Sequence, residues 1–504
     1  MSKDRNQKIA ITMPLPSVLR KRSYPITLSV QSASTTSQCL TSPDYSSKLI
    51  LGLDHLRSTG VLCDYTIVAG GLQMQVHRVV MVACSDYFRA MLTGDMRESK
   101  ETSVTLQGVT GAGLQAVVEF AYSGGLRLNL DNVEEVLAAA SHLQVSEVVD
   151  LCSRFLDSAV TIENCVDVLN ITELYALDDS LAAVRAFILR HFEDLADGAS
   201  DEYSKLSCAQ LASLLAENSL RVLSEYRLFE LVLRWINHDV DRRRSHVAAL
   251  IRNVRLPLCS GEELVEKVSR VDMVVADQEC FRLLVEAKDY HIVVNKQPVL
   301  QSSRTQVRSV NPMLVQCHDE NLECYELSTC HRTYLKEPPV SMYSPCVCVV
   351  DNFMYVCGGK YDSNENNDIA TARCFRYDPR FDSWFELASM NEARKDFAMV
   401  AFNHALYVVA GQDENMVMFS VERFTIANNE WTSCSTLPNA VYGHSAAICA
   451  KRIFISGGLK FDGHSKAVHS YDPLADTWKD EPPLLSGRCN HSMVEVLPSW
   501  YNML

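Results

Sequence analysis

Apolar positions change their spacing along this chain, and each change predicts a different kind of structure. Between about 48 and 158 the periods of strand and helix alternate. Tyr65-Thr66-Ile67-Val68 and Met74-Gln75-Val76-His77 flank Gly70-Gly71, the pattern of a β-hairpin. Helical spacing follows over 79–91 and 113–122. Over 133–143, Val133, Val136, Leu137 and Ala140 supply the i, i+3, i+4, i+7 stripe of a helix with one buried face. From about 159 to 290 the pattern is helical throughout. Phe229, Val232, Leu233 and Ile236 make one stripe that Leu228, Leu231 and Trp235 widen, so this helix is expected to pack between others in a bundle or solenoid. A polar linker is expected at 291–304.

Beyond it the chain changes to short strands and turns, and it repeats itself. Trp384, Trp431 and Trp478 stand 47 residues apart, and Tyr377, Phe424 and Tyr471 each precede one of them by seven. Phe397, His444 and His491 keep the same step. Each copy ends an apolar strand in a small pair: Gly358-Gly359, Ala410-Gly411 or Gly457-Gly458. A period in the forties built from short strands predicts a β-propeller with one repeat per blade. Tryptophan is large enough to fill the wedge between blades, and glycine lets the backbone turn tightly out of a buried strand. Tyr377, Trp384, Phe424, Trp431, Tyr471 and Trp478 are therefore the expected blade core. Phe397, His444 and His491 open the innermost strands, either as repeat-specific packing or near a binding rim.

Composition narrows the class. Hydrophobic residues at 47% and charged residues at 22% place the 504 residues among globular chains of about three domains. Residues 1–47, rich in Ser and Thr and broken by Pro14, Pro16, Pro25 and Pro43, show no period and read as a disordered tail. Its Arg20-Lys21-Arg22 cluster is short for a nuclear signal. A formal charge of −15 argues against nucleic acid, whose phosphates are gripped by clustered Lys and Arg. No apolar run is long enough for a membrane helix, and the N-terminus lacks the apolar centre of a secretory signal. A reducing compartment is therefore expected for the 18 cysteines, which form no C-x-x-C and support neither a disulfide framework nor a zinc ribbon. Cys346 and Cys348 share a strand face, but no second pair stands at a spacing that tetrahedral zinc would need, so they read as core thiols. Asp64 and His77 have no nucleophile beside them and read as buried, hydrogen-bonded structural groups. No G-x-x-x-x-G-K-[ST] is present, and neither a cofactor nor a metal is expected.

The motifs resemble a known family. Cys63-Asp64-Tyr65, His77-Arg78-Val79-Val80, Ser85-Asp86-Tyr87-Phe88-Arg89-Ala90-Met91 and Phe120-Ala121-Tyr122-Ser123-Gly124 resemble a BTB domain, an α/β fold, over 48–158. Residues 164–239 resemble the all-α BACK domain, placed at 159–290. The 47-residue units, with Tyr377-Asp378-Pro379 and Tyr471-Asp472-Pro473 ahead of Trp, resemble the Kelch repeats of an all-β propeller over 305–504. Together these cover about 450 residues in the order of Kelch-like proteins. The resemblance implies a BTB homodimer that recruits cullin-3, a propeller that holds a protein substrate for ubiquitination, and no catalytic residue in the chain itself. Met96-Arg97-Glu98 resembles the hydrophobic-x-Glu motif by which BTB adaptors contact cullin-3. The lack of a secretory signal and of a long apolar run leads to the expectation of a cytoplasmic protein, with the nucleus as a second compartment, and no membrane partner. The rival reading is a cullin-independent dimeric scaffold linking cytoskeletal or transcriptional partners. Kelch-like proteins close six blades, whereas the units here fall at about 305–339, 340–388, 391–438 and 439–486, with a partial one at 487–504. The first lacks a glycine pair and carries Arg332 where Trp is expected; the last breaks off at Leu497-Pro498-Ser499-Trp500. The propeller is thus expected to be incomplete, at about four of six blades, with Trp478 the loosest of the three tryptophans.

Overall fold

A computed structural model describes residues 44–495 except 95, 199–200, 309–312, 319–320, 327–330 and 362–368. Most of the expected tail and the chain end from Leu497 lie outside these residues. Tyr45, Ser46 and Ser47, assigned to the tail by sequence, instead open helix α1 (Tyr45–Ser58).

Strands β1 (Tyr65–Ala69) and β2 (Leu72–Val76) form the expected hairpin, and Gly70 and Gly71 turn it at φ +52° and +81°. Strand β3 (Ser103–Thr105) adds to β1 in parallel. Alternation along β1 buries Tyr65, Ile67 and Ala69 against the helices. The single helix expected over 79–91 is two, α2 (Arg78–Cys84) and α3 (Asp86–Thr93). Ser85 between them is extended, and its Oγ accepts the Phe88 N–H at 3.1 Å, which caps α3 and ends α2. Apolar spacing is blind to such a side chain, which competes for backbone hydrogen bonds. Helices α4 (Gly111–Ser123), α5 (Val133–His142) and α6 (Ser146–Ala159) complete this part.

Helices continue to Ile292. The one at Glu225–His238 buries Leu228, Phe229, Leu231, Val232, Trp235 and Ile236, and the Trp235 indole N–H donates to the Leu206 carbonyl at 3.1 Å. One apolar core runs from Tyr65 to Ala287, so the mixed and helical regions fold onto each other. The segment expected as a linker is tied down. Arg304 meets Glu286 at 2.5 Å, and the buried Arg308 meets the buried Glu225 at 2.6 Å. Arg308 also donates to the Leu215 and Asn253 carbonyls. A polar stretch looks unattached in sequence when its partners lie up to 93 residues away.

The last region stacks sheets. A three-stranded unit holds β4 (Met313–His318), β5 (Asn321–Glu326) and β6 (Arg332–Tyr334). The second unit has β7 (Cys346–Val350) and β8 (Phe353–Cys357), a side hairpin of β9 (Lys360–Tyr361) and β10 (Ile369–Ala370), then β11 (Cys374–Asp378) and β12 (Ser383–Glu386). The third is β13 (Ala398–Phe402), β14 (Ala405–Gln412), β15 (Val417–Thr425) and β16 (Glu430–Cys434). The fourth is β17 (Ser445–Cys449) and β18 (Arg452–Ser456), a side hairpin of β19 (Leu459–Lys460) and β20 (Gly463–His464), then β21 (Val468–Asp472) and β22 (Thr477–Glu481). Arg332 pairs with Tyr325 in the register that Trp384, Trp431 and Trp478 keep with Tyr377, Phe424 and Tyr471. The first unit therefore matches the outer three strands of a blade and carries Arg where the others carry Trp.

Each complete blade is stapled backwards and latched forwards. The Trp384, Trp431 and Trp478 indole N–H groups donate at 2.8 Å to the carbonyls of Lys336, Ala388 and Ser435 in the connection from the preceding unit. The amides of those same three residues donate to Asp382, Asn429 and Asp476. Forwards, the Gly359, Gly411 and Gly458 N–H groups donate to the carbonyls of Arg394, Val441 and Arg488. Glycine is required there: a Cβ at Gly359 would lie 2.5 Å from the Tyr343 carbonyl oxygen, and one at Gly458 2.3 Å from the Val441 side chain. Trp431 is buried while Trp384 and Trp478 are both half-buried, so burial does not set Trp478 apart from Trp384, and Trp478 is held by the unit behind it.

Candidate interaction sites

Met96-Arg97-Glu98 stands on the loop between α3 and β3. Met96 is 55% exposed, Arg97 is exposed and Glu98 is half-buried. The loop is not slack. The Met96 carbonyl accepts the Ser99 N–H at 3.2 Å and the Ser99 hydroxyl at 2.6 Å, which closes a single 3-10 turn at Arg97–Ser99. Arg97 pairs with Glu101 at 2.6 Å. From beneath, Arg78 donates to the Ser99 carbonyl at 2.7 Å and to the Glu101 carbonyl, while its guanidinium lies 4.6 Å over the Tyr65 ring. Sequence reasoning missed Arg78, which fixes the loop; its place beside His77 was the available signal.

Asp64 and His77 set that arginine. The Arg78 N–H donates to Asp64 Oδ1 at 2.8 Å, so Asp64 satisfies an orphan amide at the start of α2. Asp64 is hydrogen-bonded as expected but exposed, contrary to the expectation of burial: it lies at the rim of the sheet, where a charge keeps its water. His77 is buried. Tyr122 Oη accepts the His77 N–H at 2.7 Å and lies 2.8 Å from Nδ1, and Nε2 lies 3.0 Å from the Val61 carbonyl. A carbonyl only accepts, so Nε2 carries the ring proton and Nδ1 accepts from the Tyr122 hydroxyl. Burial pushes that phenol up to about 12. Both groups are spent on structure.

Blade two docks on the helical region through arginines. Arg376, 1% exposed, donates to the Val294 carbonyl and to Gln297 Oε1, each at 3.0 Å. Arg380, clamped by Asp378 at 2.6 Å, reaches the Tyr290 hydroxyl. Within blade three, Arg394 and Glu422 form a buried pair at 2.6 Å. None of these stood out in sequence, because an isolated Arg on a strand reads as a solvated face. Phe397 and His444 stand immediately before the inner strands β13 and β17, whereas among the described residues no strand follows His491; Phe397 and His491 lie against the glycine pairs as packing. Burial, then His491, hold His444 down to about 4. Cys346 and Cys348 lie on one face of β7, and the Cys346 thiol donates to the Phe397 carbonyl at 2.9 Å. Among the described residues no group of three or more His, Cys, Asp and Glu is arranged to hold a metal, and no helix is long and apolar enough to cross a membrane.

The two-layer N-terminal unit, the helical unit and the stapled blades each have known relatives. Residues 53–160 match the BTB/POZ domain, 165–269 the BTB And C-terminal Kelch domain, and 346–501 the KLHDC2/KLHL20/DRC7 Kelch-repeats domain. Kelch-like protein 26 of Danio rerio is 33% identical over 467 residues, which cover 90% of this chain and 77% of that protein. The chain belongs to the Kelch-like family. Kelch-like protein 26 of Homo sapiens is 35% identical, over 86% of this chain and 72% of its own length. Kelch-like protein 36 of Mus musculus is 31% identical over 92% and 77%. As a Kelch-like protein the chain combines BTB, BACK and Kelch parts in one molecule, and the three-stranded unit at 313–334 lies ahead of the matched repeats.

Proposed function

We propose that this chain is the non-catalytic substrate adaptor of a cullin-3 RING ubiquitin ligase. Kelch-like proteins generally serve as such adaptors. The observation that carries the reading is Met96: an exposed apolar side chain on a loop pinned by Arg78 and Ser99, two residues from a carboxylate. A pre-shaped loop loses little entropy on docking, so an apolar anchor there converts burial into affinity, while Glu98 fixes register. Ubiquitin transfer then belongs to the RING protein and its charged partner enzyme. The adaptor raises the local concentration of substrate lysines, and the Kelch blades bind the substrate.

Dimerisation through the BTB part is included in the proposal. Helix α1 has no buried residue and exposes Tyr45 at 66%, Leu49 at 52% and Leu51 at 68%. A two-fold interface is the commonest cover for such a face, and two arms add avidity for substrate. The protein is proposed to work in the cytoplasm, with the nucleus as a second compartment. The test is co-purification of cullin-3 with the full chain and with the Met96→Ala/Glu98→Ala variant. Loss of a central anchor weakens binding by about 2 kcal/mol, roughly thirtyfold, with an unchanged melting point. A double variant that binds like the parent sinks the assignment of the loop. A parent chain that captures no cullin-3 leaves the scaffold reading.

A further inference from the structure

In sequence Cys346 and Cys348 have no second pair of thiols; the sheet of blade two supplies one. Its register sets Cys346 opposite Cys357 and Cys357 opposite Cys374, a row of thiols across β7, β8 and β11. The pairings are not equivalent. The Gly358 N–H donates to the Arg373 carbonyl, so those two residues form a hydrogen-bonded pair and Cys357–Cys374, one step along, does not. Consistently, the Cys374 carbonyl turns away to accept from Leu387. In a non-hydrogen-bonded pair the Cα atoms lie about 4.5 Å apart with side chains at their closest, within the roughly 4.4–6.8 Å that disulfides span. Cys357 then faces Cys346 across a hydrogen-bonded pair, the wider kind, and the Cys346 thiol is taken by the Phe397 carbonyl. The Cys374 thiol donates to the Ala372 carbonyl at 3.5 Å, and it sits beside the Cys357 thiol.

We propose that Cys357 and Cys374 are a modification site, a cross-strand dithiol that hydrogen peroxide oxidises to an intramolecular disulfide. One sulfur attacks the peroxide, the O–O bond breaks, and a sulfenic acid and one water form. The second sulfur attacks the sulfenic sulfur, the S–S bond forms, the S–O bond breaks and a second water leaves; both thiol protons end in water. The site is gated. Both residues are wholly buried, and the neighbouring Cys374 thiol and burial hold the Cys357 thiol protonated, so the closed blade reacts slowly. Only a small oxidant reaches it, when β7 at the inner edge opens. The bridge ties β8 to β11, the strand that carries Arg376 and leads to Arg380 at the helical docking contact.

Peroxide titration of the full chain, alkylation under denaturing conditions and peptide mapping test this. Cys449, which is exposed, reports the oxidant dose. The expected product is a peptide pair joined at Cys357 and Cys374, formed after Cys449 is modified, lost on reduction, absent from Cys374→Ser and retained in Cys346→Ser. Cys357 and Cys374 that both remain alkylatable once Cys449 is fully oxidised overturn the proposal. So does a Cys346–Cys357 bridge.

Discussion

Glu422→Ala tests how blade three is held. Glu422 is 2% exposed and Arg394 wholly buried, 2.6 Å apart. Removing the carboxylate strands a guanidinium away from water, which costs about 3–5 kcal/mol for a buried pair broken from one side. The structure narrows that range. Arg394 keeps the Ala410 carbonyl at 2.8 Å and the Ser420 carbonyl at 3.2 Å, but neither brings a charge. Glu392 remains at 3.3 Å, yet it is half exposed and screened, so it offsets little. The Asn391 and Glu392 amides that lose Glu422 as acceptor are part-buried but belong to exposed residues, where water can replace it. A loss of about 3–4 kcal/mol is expected, read as a lower urea midpoint by indole fluorescence, with Trp431 on the next strand reporting. The companion Arg394→Met/Glu422→Leu removes both charges and should recover most of the loss. A Glu422→Ala variant within about 1 kcal/mol of the parent, or a double variant worse than the single, would refute the reasoning.

His444 gives the propeller an acid sensitivity. Its ring takes a proton near 6.5 when unfolded and near 4 when buried, so between those values the unfolded chain binds the extra proton. Stability is fully present above 6.5 and falls as pH drops towards 4, by about 1.4 kcal/mol per unit. His444→Phe, the residue that Phe397 already supplies at the same repeat position, should flatten that slope; an unchanged pH profile counts against it. For the BTB face, Leu49→Asp/Leu51→Asp in the full chain should sediment as a monomer where the parent is a dimer. A parent already monomeric at micromolar concentration removes the dimer from the proposal.

The sequence alone determined whatever is periodic. Spacing located the β1–β2 hairpin, the stripe of the Glu225–His238 helix and the 47-residue blades, because a buried face must recur at the period of its own backbone. The same period carried Asp382, Asn429 and Asp476, 47 residues apart and each receiving an amide from the preceding connection; apolar counting passed over them. Tertiary structure decided what depends on one distant partner. Arg78 beneath the Met96 loop, Arg308 on Glu225, Arg376 on Gln297 and the Cys357–Cys374 pair have no local signature. Each is a polar or small side chain whose burial is tolerable only because another segment supplies the matching group. Trp478 held from behind belongs to the same class, and so does Ser85 where its hydroxyl donates to the Leu143 carbonyl at 2.5 Å, although its cap on α3 is local. Hydrophobic burial is written along the chain as a pattern, whereas the satisfaction of a buried donor or charge exists only between elements already brought together.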